Sequence, residues 1–84
     1  MRNTRKEVYE AIDSERDYQD AKWGGKDHDN YHEVEAFITY MQHYMNKAIE
    51  AISTQKGAAG GLNELRKVVT LGVACFEVHG IEKR

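Results

Sequence analysis

Apolar positions recur along this chain at spacings of three and four, the period of an amphipathic helix, and glycines break the pattern in two places. The pair Gly24-Gly25 and the run from Gly57 to Gly61 divide it into three segments. The first predicts a helix from about Thr4 to Lys22, with Val8, Ala11, Ile12, Gln19 and Lys22 on one face and Glu15 among them. Thr4 and Glu7 have the spacing of a capping box, in which each side chain satisfies a free backbone amide at the helix start. The second segment predicts a helix running to about Ser53, capped by Asn30 with Glu33 completing a second box. Its stripe is Val34, Phe37, Ile38, Met41, Met45, Ala48 and Ile52, and Tyr40, His43, Tyr44 and Lys47 form a row beside it. The third predicts a helix from about Leu62 to His79, with Gly80 as its C-terminal cap.

Helix three is apolar almost all the way round, through Leu65, Val68, Val69, Leu71, Val73, Ala74, Cys75, Phe76 and Val78. A helix of that kind must be covered on every side, which two neighbours in one chain do not achieve. A chain of 84 residues also makes one small domain with a marginal core. The expected fold is therefore all-α: a single helical domain over 1–84, two long helices after an N-terminal one, assembling as a homo-oligomeric helical bundle. The absence of proline permits long helices. Gly72, in mid-helix, loses about 1 kcal/mol relative to alanine, which close approach at a packed interface would offset.

Composition narrows the function. Twelve Lys and Arg against 14 Asp and Glu give a formal net charge of −2, which argues against a DNA- or RNA-binding chain. It leaves room for a small anionic ligand held by a few local cations. The single cysteine, Cys75, sits in an apolar run and reads as a buried structural thiol suited to a reducing cytoplasm. The opening MRNTRKEVYE has no apolar leader core, and no segment has the length of a membrane span. The expected location is cytoplasmic.

Several residues invite chemistry. Glu15 and Glu77 are carboxylates on apolar faces, where they need a ligand, a metal or a structural cation. Glu10, Asp13, Asp17 and Asp20 form either a chelating stripe or a solvated face, with Lys6 and Arg16 as neutralising neighbours. His28, Asp29 and His32 resemble half a zinc site without thiolates or a clear third ligand. The most ligand-like group is Tyr40, His43, Tyr44 and Lys47: rings to stack a base and a cation to meet a phosphate. Lys22 and Trp23 repeat that pairing, and Arg66 and Thr70 share a face able to hold a phosphate. Tyrosines rimming a subunit interface would produce the same pattern. No nucleophile–base pair, phosphate loop or CxxC motif is present, so no catalytic or metal residue is assigned.

The stretch SERDYQDAKWGGKDHD, the long second helix and the closing ELRKVVTLGVACFEVHG resemble the MazG-like branch of all-α nucleoside triphosphate pyrophosphohydrolases. They resemble most its short phage and prophage members, over about Ser14 to Gly80. The resemblance implies a helical oligomer with nucleotide sites near subunit contacts, in the host cytoplasm if phage-encoded. Enzymes of that family carry an EExxE-type motif on the central helix that binds magnesium. The corresponding stretch here, Met41-Gln42-His43-Tyr44-Met45-Asn46, has no carboxylate, and hard cations need anionic oxygen ligands. The expectation is a small oligomer that binds a nucleotide or nucleotide-derived signal without hydrolysing it, as a sponge for an immune signal would, and needs no cofactor. The alternatives are a magnesium-dependent pyrophosphohydrolase and a protein-interaction adaptor. The ligand set is Tyr40, His43, Tyr44, Lys47, Lys22, Trp23, Arg66, Thr70 and Glu15.

Overall fold

The computed structural model describes residues 2–24, 32–54 and 57–84, and these form three helices with no strand among them. Helix α1 spans Arg5–Trp23, α2 spans Val34–Ser53 and α3 spans Gly57–His79. The capping box at the start of α1 is present: the Glu7 amide donates to Thr4 Oγ1 at 3.1 Å, and the Thr4 amide donates to Glu7 Oε1 at 3.0 Å. Those hydrogen bonds hold the Glu7 carboxyl below its usual pKa. Gly24 ends α1 in the left-handed conformation at φ 92°, and its amide closes onto Asp20 O at 3.0 Å. Gly80 does the same for α3 at φ 91°, its amide reaching Phe76 O at 2.8 Å.

Two boundaries differ from the sequence reading. Helix α2 begins with Glu33 itself at the cap, without a side-chain hydrogen bond, so Glu33 does not complete a box from the third turn position. Asn30 lies outside the described residues. Helix α3 begins five residues earlier than expected, because the run GAAGG joins the helix instead of forming a loop. The reason is packing. At Gly61 an added Cβ would lie 2.7 Å from Ile52 Cγ1, so the small residues let α3 start against the end of α2.

Helices α2 and α3 form an antiparallel hairpin. Ile52 meets Gly61 at one end, and a Cβ at Gly72 would lie 3.3 Å from Met41 Cε further along. Close approach at Gly72 is thus made at least in part within the chain. Phe37, Ala74 and Cys75 form the buried core with Val78 against them, and Ala48, Val68 and Leu71 extend it. Burial pushes the Cys75 thiol above its usual pKa.

Helix α1 packs on α3 and not on α2. Its buried positions are polar: Arg16 and Gln19, which are 6% and 3% exposed. Val8 and Ala11, expected on an apolar docking face, are exposed. The sequence reading placed Arg16 among the solvated acids. It is instead the buried anchor of α1, because a guanidinium can be buried where carboxylates receive its donors. Arg16 Nε donates to Glu77 Oε2 at 2.6 Å and Nη2 to Glu77 Oε1 at 3.2 Å, while Nη2 also pairs with Asp20 Oδ1 at 3.0 Å. The Glu77 contact raises the Arg16 pKa further above its usual value, against the opposing effect of burial. A second tie joins Arg66 Nε to Glu15 Oε1 at 2.9 Å. Neighbouring residues of α1 therefore reach positions three turns apart on α3, which sets α1 across α3.

Candidate functional site

Because α1 crosses α3 while α2 runs alongside it, the three helices leave a cleft on one side of the hairpin. Its inner part, about 230 Å³, is walled by Gln19 and Trp23 of α1, His32 and the α2 residues Phe37, Tyr40 and Tyr44, and Leu71 and Ala74 of α3. The rings are set edge to face: His32 lies 5.7 Å from Phe37 and 5.4 Å from Tyr40 between centroids, at 76° and 79°. His79 Nε2 lies 2.8 Å from His32 O and ties the end of α3 to the approach to α2.

An adjoining part of about 380 Å³ shares Gln19, Trp23 and Tyr44 and is lined by cations, Lys22, Arg66 and Lys67, with Glu15, Tyr18 and Asn63. Here the charges are already engaged. Arg66 holds Glu15 and also donates from Nη2 to Asn63 Oδ1 at 2.8 Å, and Lys67 Nζ contacts Glu64 Oε1 at 3.3 Å. Lys22 sits over two rings, 5.9 Å from the centroid of Tyr18 and 5.6 Å from that of Trp23. Tyr44 receives two ammonium groups, Lys47 at 5.3 Å and Lys67 at 5.7 Å. Aromatic faces and lysine ammonium groups are therefore in contact before any ligand arrives, at energies of about 0.5–1 kcal/mol per exposed cation–π pair.

The structure brings together Tyr40, Tyr44, Lys22, Trp23, Arg66 and Glu15 from the sequence-derived set. His43 and Lys47 are exposed on α2 and line neither part; the His43 ring stands on that of Tyr44, with centroids 5.3 Å apart. Lys47 lines a separate groove with Glu50, Thr54 and Asn63. Thr70 is fully buried, and its hydroxyl donates to Arg66 O at 2.6 Å. Its partner is the helix backbone, a common use of a mid-helix threonine. Glu15 and Glu77 each hold an arginine.

Gln19, Phe37, His32 and Lys67 belong to the cleft and were not in that set. The i,i+4 pair Gln19 and Trp23 carried the available signal, since a tryptophan one turn beyond a glutamine on the packing side extends the same wall. Among the described residues, no three carboxylate, imidazole or thiol groups converge as a metal site would require. Glu10, Asp13 and Asp17 are exposed, while His28 and Asp29 lie outside the described residues. On the exposed side of α2, Gln42 Nε2 donates to Asn46 Oδ1 at 2.9 Å.

No family model, curated protein or solved structure matches this chain. Among the described residues no helix is long and apolar enough to cross a membrane.

Proposed function

We propose that this protein binds a nucleotide, or a small signal built from nucleotides, in the cleft between its helices and holds it without hydrolysis. One observation carries the reading: a ring-walled recess shares Gln19, Trp23 and Tyr44 as wall with a neighbouring recess lined by Lys22, Arg66 and Lys67. A base fits the first by stacking, and a phosphate meets the donors of the second. Gln19, buried in the wall the two share, receives Arg16 Nη1 on its Oε1 at 3.5 Å, and its amide nitrogen is the group able to donate to a base edge.

The resemblance to MazG-like proteins supports the nucleotide class, and its short phage members support sequestration in a host cytoplasm as the use. The donor chemistry favours binding over hydrolysis. At the positions where that family places magnesium ligands, this chain offers the neutral amides Gln42 and Asn46 on the exposed side of α2. Neutral amides hold a hard cation weakly beside phosphates.

Trp23 is the single tryptophan and stands between base and phosphate recesses, so its emission reports directly on occupancy. Titration with nucleoside mono-, di- and triphosphates and with cyclic and linear dinucleotides should quench or shift it saturably for at least one class. A charge-assisted contact contributes about 1.5–3 kcal/mol, so Lys22→Ala or Arg66→Ala should weaken that binding roughly ten- to hundredfold. Mass spectrometry should return the ligand intact after incubation with magnesium. Silence of Trp23 towards every class at millimolar concentration, with calorimetry equally flat, overturns the reading.

A further inference from the structure

Building on the nucleotide reading above, we infer that Gln19 makes the base recess selective for a 6-oxopurine, guanine or hypoxanthine, over the 6-aminopurine adenine.

One buried amide has a fixed orientation. Gln19 is 3% exposed and stands in the wall shared by the two recesses. Its Oε1 accepts from Arg16 Nη1 at 3.5 Å. An arginine side chain has donors and no acceptor, so the reverse orientation would set the amide NH2 against N–H groups. The guanidinium is itself held, by Glu77 through Nε at 2.6 Å and Nη2 at 3.2 Å, and by Asp20 at 3.0 Å. That leaves it little freedom to turn away from Oε1. The acceptor end of the amide is thus spent on Arg16. The donor end, Nε2, makes no hydrogen bond among the described residues. Donors buried to this degree are costly to leave unmade, and proteins give them an acceptor. In the occupied cleft that acceptor is an atom of the base.

The other polar groups of the base recess carry no such preference. The Tyr40 and Tyr44 hydroxyls both donate and accept, and the His32 ring does either according to its tautomer. Stacking on the faces of Trp23 and Phe37 does not distinguish an oxo from an amino group. A glutamine usually reads adenine with both ends, accepting from N6 and donating to N7. With Oε1 on Arg16 that fork is broken, and the N6 amino group meets Nε2 donor against donor. Guanine and hypoxanthine present O6 and N7 side by side, two acceptors that one NH2 group can serve. A bicyclic base also covers more of the ring wall than a pyrimidine does. Arg16 is therefore a positioning residue for the base as well as the anchor of α1.

Calorimetric titration with matched pairs tests this: IMP against AMP, ITP against ATP, and the cyclic dinucleotide of inosine against that of adenosine. Within each pair that binds, wild type should prefer the inosine member by roughly fivefold or more, about 1 kcal/mol. Gln19→Glu keeps the shape and the bond to Arg16 but turns the cleft-facing nitrogen into an acceptor. It should weaken both members through its added negative charge while reversing the preference towards adenosine. A glutamine that merely braces Arg16 gives no reversal. If that variant does not fold by circular dichroism, Gln19→Met, uncharged and of similar length, should bring each pair to within about twofold. Wild type that binds an adenosine member as tightly as its inosine partner overturns the selectivity and leaves nucleotide binding in place. So does a folded Gln19→Glu or Gln19→Met that keeps the wild-type preference. Failure of every probe to bind at millimolar concentration overturns the nucleotide reading itself, and the selectivity with it.

Discussion

The ion pair between Arg16 and Glu77 is the sharpest place to perturb this fold, since among the described residues α1 packs on α3 and not on α2, and does so through polar anchors. Glu77→Gln preserves shape and removes the charge that receives two guanidinium donors. Breaking a buried pair by deleting one partner destabilises by about 3–5 kcal/mol, and an exposed pair is worth about 0–1. Here the Arg16 side chain is 8% exposed and that of Glu77 is 53% exposed. Asp20 and Gln19 also remain to hold the guanidinium. The expected loss is therefore intermediate, about 2 kcal/mol. For a domain of this size that corresponds to a fall in Tm of roughly 8–16 °C at fixed protein concentration. Loss should be local first. Hydrogen exchange should show α1 amides losing protection before those of α2 and α3, and Trp23 emission should move towards that of an exposed indole. The double change Arg16→Met with Glu77→Leu should recover most of the stability, because a matched apolar pair avoids desolvating charge. If Glu77→Gln melts within about 2 °C of wild type and α1 exchange is unaltered, α1 is held by something other than this pair.

Three further outcomes follow from the same geometry. Glu15→Gln removes the carboxylate that occupies Arg66 inside the cationic recess; an anionic nucleotide should then bind roughly fivefold more tightly, about 1 kcal/mol, by calorimetry. Thr70→Val should leave nucleotide affinity within a factor of about two and stability unchanged or raised, because the hydroxyl serves only a helix carbonyl inside the core. Glu7, held below its usual pKa by Thr4, stabilises the start of α1 at neutral pH, and that contribution should fade as pH falls through its depressed folded-state value; an NMR titration of Glu7 and loss of the downward shift in Thr4→Ala check the sign.

The three helices, the Thr4 cap and the Gly80 stop were legible in the sequence because local periodicity and capping chemistry fix them. The glycine-rich start of α3 was not, because GAAGG is a weak helix former whose state is decided by Ile52 packing on Gly61. Arg16 was misplaced for a related reason. Its position on the wheel sits beside acids, and only the tertiary arrangement reveals that Glu77, 61 residues away, draws it inward. Lys22, Trp23, Tyr40 and Tyr44 were recognisable as ring and cation pairs, and the cleft collects them. Thr70 looked like a phosphate contact because it follows Arg66 by four. That spacing also lets a threonine bond the carbonyl one turn back, and the structure takes that option.

A marginal core leaves the docking of α1 to polar ties. A chain with Phe37, Ala74 and Cys75 as its central cluster buries too little to be robust alone. The pairs Arg16–Glu77 and Glu15–Arg66 tie α1 to α3. Of these, only the Glu15–Arg66 clasp lies within the cleft. An anion that takes Arg66 from Glu15 must therefore loosen a tie of α1 while adding its own contacts to Lys22 and Lys67. Ligand binding and α1 docking are then coupled through a single guanidinium. Glu15→Gln should uncouple them, tightening the ligand while α1 exchanges faster in its absence. A variant in which both affinity and α1 protection rise together would show that the clasp is no competitor for the ligand.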